Sequence, residues 1–200
     1  TQSQTLLSNK LKELLHILGL KQKSKKTGNF ALGNGEVSEL DNFENKMKNI
    51  DQYIRNFRSL FKEIPSIFPI VSRKFWFTSR YGYRTHPITL KREFHPGLDI
   101  AAFPGTPIQA TADGTIKHAG WRGGYGIVVY MTHSKGFETR YAHMARLSGV
   151  ARKGNFVKKG QIIGYVGTTG VSTGYHLHYE VRLNTQHINP MNFTFLDRFW

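Results

Sequence analysis

Residues 173–183 read "TGYHLHYEVRL" and set two histidines one residue apart. Aromatic and β-branched residues in the run predict a strand over 176–183. Side chains alternate faces along a strand, so His176 and His178 share one face. Leu177 and Tyr179 occupy the other. Two imidazoles on one face can bind a metal, relay a proton, or do one each.

The sequence around this strand has the same texture. From about residue 71, short β-branched and aromatic runs alternate with glycine-containing turns such as "DG" (113–114), "GG" (123–124) and "TTG" (168–170). Strands are predicted at 75–80, 97–102, 107–111, 114–120, 126–132, 137–142 and 161–166, besides 176–183. Regular short strands suggest an all-β sandwich or barrel. Upstream the pattern changes. Leucines at 7, 11, 14 and 18 predict a helix over 5–18, and "KQKSKKTGN" (21–29) reads as a basic linker. Leu40, Phe43, Met47, Ile50, Ile54, Phe57 and Phe61 repeat at alternating spacings of 3 and 4. They form a coiled-coil-like seam that predicts a long helix over 39–63, stopped by Pro65. Such a stripe needs a partner: the first helix, the β domain or a second copy of the chain. The expected plan is a helical N-terminal region, 1–64, and an all-β domain, 65–200, α+β overall.

Composition narrows the chemistry. The 200 residues contain no cysteine, which excludes disulfides, thiolate metal sites and cysteine nucleophiles. No run of about 18 apolar residues spans a membrane. The chain opens on Thr1 rather than methionine, so an export signal or anchor upstream is expected. The net charge is +15, with +4 in residues 1–70 and +11 in residues 71–200. A basic body attracts polyanions such as anionic lipid or an acidic wall polymer. No module with interleaved basic and aromatic residues is present, so specific nucleic-acid binding is not expected.

Eight of the nine histidines lie in the β region. In "EFHPGLDIAA" (93–102), His95 precedes a Pro-Gly turn and Asp99 opens an apolar run. A carboxylate there is costly to bury unpaired, and a metal removes that cost. A neutral imidazole and a carboxylate suit Zn²⁺. The alternative, an Asp99 that only caps the turn beside an exposed His95, stays open on these residues. In "ETRYAHMARL" (138–147), His143 follows a strand-like run, next to Tyr141 and Ala142. Spacing alone does not assign ligands among His95, Asp99, His143, His176 and His178.

The order of motifs adds a resemblance. "TSRYGYRTHPIT" (78–89), "FHPGLDIAA", "ADGTIKHAG", "GYGIVVYMTH", "TRYAHM" and "VKKGQIIGYVGTTGVSTGYHLHYEVR" follow one another across about 65–192. This series resembles the lysostaphin-type, or LytM-type, zinc metallopeptidases that cut peptidoglycan peptides. The resemblance implies a compact antiparallel β domain like a duplicated hybrid motif, with a groove over one Zn²⁺ per chain. It implies His95, Asp99 and His178 as zinc ligands and His143 and His176 as catalytic residues that are not ligands. It gives His86, in "RTHPI", a role against substrate. Where the family carries proline before H-x-H this chain has Tyr175, placed on the groove wall.

The implied function is hydrolysis of peptidoglycan cross-links, D-alanyl to diamino-acid, in the bacterial cell envelope outside the cytoplasm. Peptidoglycan peptide stems are the expected partner, with an anionic membrane or wall surface and self-association through the helices beside it. Residues 1–64 would space or dimerise the enzyme, or cover the groove, with Asn29 or Asn34 facing the metal. The competing class is a non-enzymatic regulator that activates another wall hydrolase. The complete set of five site residues speaks against it.

Overall fold

The computed structural model of the chain describes residues 52, 55, 59–85 and 90–193. The helix expected at 5–18, the linker at 21–29, Asn29, Asn34, His86 and nearly all of the helix expected at 39–63 lie outside them. Residues 59–63 are helical. The Ile64 amide donates to the Leu60 carbonyl at 3.1 Å. Pro65 has no N–H and ends the ladder. Ser66 Oγ then donates to the Phe61 carbonyl at 3.1 Å.

Twelve strands follow among the described residues: β1 (Phe75–Ser79), β2 (Gly82–Thr85), β3 (Arg92–His95), β4 (Leu98–Ala102), β5 (Pro107–Gln109), β6 (Gly114–Trp121), β7 (Ile127–Thr132), β8 (Phe137–Leu147), β9 (Phe156–Val157), β10 (Ile162–Val166), β11 (His176–Leu183) and β12 (Gln186–Ile188). Every pairing is antiparallel. Ten strands form one sheet along the path β1-β4-β11-β8-β7-β6-β9, with β10 joining β5 to β8 and β12 beside β11. Strands β2 and β3 form a separate hairpin. The predicted strands recur within one or two residues, except at β8. The four short strands β2, β3, β9 and β12 were not expected, because "GYRT", "REFH", "FV" and "QHI" carry no apolar alternation long enough to read.

Strand β11 lies between β4 and β8, and its alternation separates core from site. Leu177, Tyr179 and Val181 are fully buried with Leu98, Ile100, Ile116, Val129 and Ile163. The Tyr141 and Tyr179 hydroxyls both bond Thr111 Oγ1 at 2.8 Å, which satisfies two phenols inside this core. His176, His178 and Glu180 take the opposite face. Register does the rest: His178 pairs with Asp99 on β4 and with Ala142 on β8. Directly opposed residues bring their Cβ atoms to about 5 Å.

Strand β8 corrects one expectation. It does not end at Ala142, before His143, but runs to Leu147. His143 has a φ of 60°, and three steps on β8 (Tyr141 to Met144) oppose two on β7 (Val129 to Ile127). This is a β-bulge, which adds a residue and re-aims side chains without ending the strand. A bulge next to a functional cluster stores strain that the surrounding sheet holds in place.

Candidate active site

Three side chains converge where β3, β4 and β11 meet. His95 Nε2 lies 3.1 Å from His178 Nδ1 and 3.2 Å from Asp99 Oδ1, and His178 Nδ1 lies 2.7 Å from the same Oδ1. The three residues are buried, and their ligand atoms lie within 4.8 Å of one another. His95 is 3% exposed, which removes the reading of a surface histidine beside a turn-capping aspartate. Burial opposes ionisation of Asp99, but hydrogen bonds from His178 and His95 outweigh it and hold the carboxyl far below its usual range. Two imidazole nitrogens and a carboxylate oxygen crowding one point are the donor set of a three-ligand zinc site.

The other nitrogen of each imidazole is committed. His95 Nδ1 donates to the Arg80 carbonyl at 2.9 Å, leaving Nε2 to face the cluster. His178 Nε2 lies 3.2 Å from Glu180 Oε1, leaving Nδ1. Burial pulls the His178 pKa down, but the bonds to Asp99 and Glu180 more than reverse this and raise it to about 9. Glu180 has no solvent exposure. Its carboxylate also accepts from the Tyr125 hydroxyl at 2.6 Å and faces Arg140 and His187 at 3.3 and 3.2 Å. Burial opposes its charge, yet His178 above all, then Tyr125 and Arg140, hold its pKa down at about 2. The HPG turn fits closely around His178: a Cβ on Gly97 would sit 2.7 Å from His178 Cε1 and 2.7 Å from the Tyr179 carbonyl.

His143 and His176 stand beside the cluster, their ring centroids 4.7 Å apart. His143 Nδ1 donates to the Thr169 carbonyl at 2.8 Å, and His176 Nδ1 to the Gly174 carbonyl at 2.8 Å. Carbonyls only accept, so each Nδ1 carries the proton and each Nε2 keeps a lone pair. His176 Nε2 lies 3.9 Å from Asp99 Oδ1. Burial, aided by the neighbouring imidazoles, lowers the His143 pKa to about 4.

A groove of about 700 Å³ runs over these residues, lined also by Trp76, Arg84, Glu93, Tyr125 and Tyr175. Tyr175 is half exposed on its wall. The structure thus brings together His95, Asp99, His143, His176 and His178 and places Tyr175 at the rim. Sequence reading passed over Glu180, Tyr125 and Arg84. Glu180 left a signal, since it follows His178 by two and shares its strand face. Tyr125 left none, because only the fold brings its short 3₁₀ turn to β11.

Comparisons with known proteins agree with this geometry. Residues 93–190 match the family model described as Peptidase family M23. The DD-carboxypeptidase/endopeptidase Mpg of Neisseria meningitidis serogroup B is 50% identical over 115 residues, covering 58% of this chain and 26% of that protein. Peptidoglycan DD-endopeptidase ShyC of Vibrio cholerae is 39% identical over 140 residues, covering 70% and 31%. The chain therefore spans about a quarter to a third of these relatives. The crystal structure of the catalytic domain of the prophage-encoded M23 protein EnpA from Enterococcus faecalis aligns with a TM-score of 0.52 and 38% identity, over 62% of this chain and 95% of that domain. A relative matched over nearly its whole length, with a donor set suited to zinc, places the chain in peptidase family M23.

Proposed function

We propose that this chain carries the catalytic domain of a zinc-dependent endopeptidase that hydrolyses peptide cross-links of bacterial peptidoglycan in the cell envelope. The observation that carries the reading is the convergence of His95 Nε2, Asp99 Oδ1 and His178 Nδ1 beside two further imidazoles in an open groove. The DD-endopeptidase names of the relatives support D-alanyl to diamino-acid bonds as the target. The excess of positive charge in residues 71–200 favours residence at an anionic wall or membrane surface.

His95, Asp99 and His178 would hold the zinc ion. When bound, zinc lowers the pKa of water toward about 7 and polarises the scissile carbonyl. The chain's own groups do the rest. Burial keeps His143 neutral at neutral pH, with its Nε2 free to accept a proton from the attacking water. His176, fixed through Nδ1 by Gly174, presents its Nε2 toward Asp99. From there it can accept a hydrogen bond from the attacking water and orient it, while His143, protonated at Nε2 by that water, returns the proton to the leaving amine. The groove receives an extended peptide, with Tyr175 on its wall and His86 a further substrate contact. The complete ligand cluster is what a regulator without catalysis would not need.

The test is digestion of cross-linked peptidoglycan dimers with and without a zinc chelator, read by mass spectrometry. Chelator-sensitive conversion of dimers to monomers is the expected result, and the product masses name the bond. Retained cleavage by a metal-free His178→Ala protein would overturn the assignment.

A further inference from the structure

Among the described residues that line the groove, Arg84 is a cation that the proposed chemistry leaves unused. It stands on β2, in the hairpin beside the sheet, opposite Glu93 on β3. It lines the groove that holds Asp99, His143 and His176. Its Nη1 lies 3.7 Å from Asp99 Oδ2, beyond hydrogen-bond distance, and about a quarter of the side chain is exposed. Its Nε is buried with no hydrogen-bond partner. A guanidinium paired with a carboxylate inside a fold frequently forks onto it with two bonds. This one does not. The nearby carboxylate is already engaged: Asp99 Oδ1 faces both His178 and His95. Once Asp99 shares its single charge with a metal ion, the guanidinium faces a centre with excess positive charge. An anionic group of the substrate is the missing complement.

Resting on the peptidase reading above, we infer that Arg84 binds a free carboxylate on the leaving-amine side of the scissile amide. The inferred carboxylate sits on the same carbon as the scissile nitrogen. A bond made by the amine of a diamino acid's carboxyl-bearing centre has that group. A bond within a glycine bridge does not, because the next group there is another amide. The scissile amide must lie over His95, Asp99 and His178, so a carboxylate two bonds from its nitrogen falls within reach of Arg84. The planar fork matches a carboxylate with two parallel N–H···O bonds, which a lysine ammonium cannot reproduce. Arg84 is thus a specificity determinant that selects one class of cross-link.

The experiment uses the zinc-loaded chain and two synthetic cross-linked dimers. They differ only in whether the carboxyl beside the scissile nitrogen is free or a carboxamide. The wild-type chain is expected to prefer the free acid by about 100-fold in kcat/KM. Arg84→Gln should remove this preference by slowing the free acid far more than the carboxamide. Arg84→Lys should restore part of it. Equal cleavage of both dimers by the wild type, or equal loss on both in Arg84→Gln, overturns the inference. Calorimetric titration with the acceptor-side product peptide, acid or amide, reads binding without turnover. If neither dimer is cleaved, the peptidase reading fails, and the titration still decides Arg84. Weaker binding of the acid in Arg84→Gln alone supports the inference, and unchanged binding overturns it.

Discussion

His178 Nε2 lies 3.2 Å from the Oε1 of Glu180, a carboxylate with no solvent exposure, two residues further along the same strand face. The contact fixes which nitrogen of His178 faces Asp99 and His95. A carboxylate that orients a ligating imidazole typically contributes 10- to 100-fold to metal affinity, on the order of that range here. Glu180→Ala should therefore weaken zinc binding by about 10- to 100-fold, measured by competition with a chromogenic chelator. Glu180→Gln, which keeps an acceptor and the volume, should lose less. The alanine change should also cost about 3 kcal/mol of stability, because it strands Arg140 beside an empty partner position.

The five clustered residues should divide by substitution. Asp99→Ala and His178→Ala are expected to lose zinc and activity together. His143→Ala and His176→Ala should keep one zinc per chain while kcat falls about 100- to 10,000-fold, the range for a positioned proton-transfer group. Metal content by atomic emission, taken beside kcat, separates the two groups. Loss of zinc from His176→Ala would place that residue among the ligands.

Gly97→Ala adds one methyl and should do disproportionate damage. The added Cβ would meet the His178 ring and the Tyr179 backbone carbonyl, each at 2.7 Å. A backbone carbonyl in a central strand cannot yield as a side-chain tip can. A loss of about 1–3 kcal/mol in urea unfolding is expected, together with weaker zinc binding.

A pH dependence arises far from the groove. His133 is part-buried, its Nδ1 donating to the Asp113 carbonyl at 2.8 Å and its Nε2 meeting Thr139 Oγ1 at 2.7 Å. Burial lowers its pKa from 6.5 to about 4, against the opposing pull of the Asp113 bond. Between those values the unfolded chain takes up a proton that the folded chain refuses, so stability rises with pH. The contribution is complete above pH 6.5 and is lost as pH falls toward 4. It is on the order of 1–2 kcal/mol, since solvent partly screens the ring. Unfolding of the wild type and His133→Gln between pH 4 and 7.5 should show a shallower slope in the variant.

Amino-acid order alone is legible where a single segment carries its own periodicity. Alternation in "HLHYEVRL" placed His176 and His178 on one face and Leu177 and Tyr179 in the core, and the structure has them there. The all-β character of the domain was readable from turns and β-branched runs for the same reason, since each strand states its own period. The family was readable because several motifs follow in order.

The tertiary structure alone decided what depends on register and on contacts between distant segments. That His178 opposes Asp99, 79 positions away, is a property of the β4–β11 pairing, which no local pattern specifies. The bulge at His143 is set by how β8 pairs with its neighbours, so a reading of β8 alone ends the strand too soon. Tyr125 on Glu180 and Arg84 near Asp99 join side chains 55 and 15 residues apart. Side-chain periodicity reports which way one strand faces. Only the folded sheet reports what another strand sets against it.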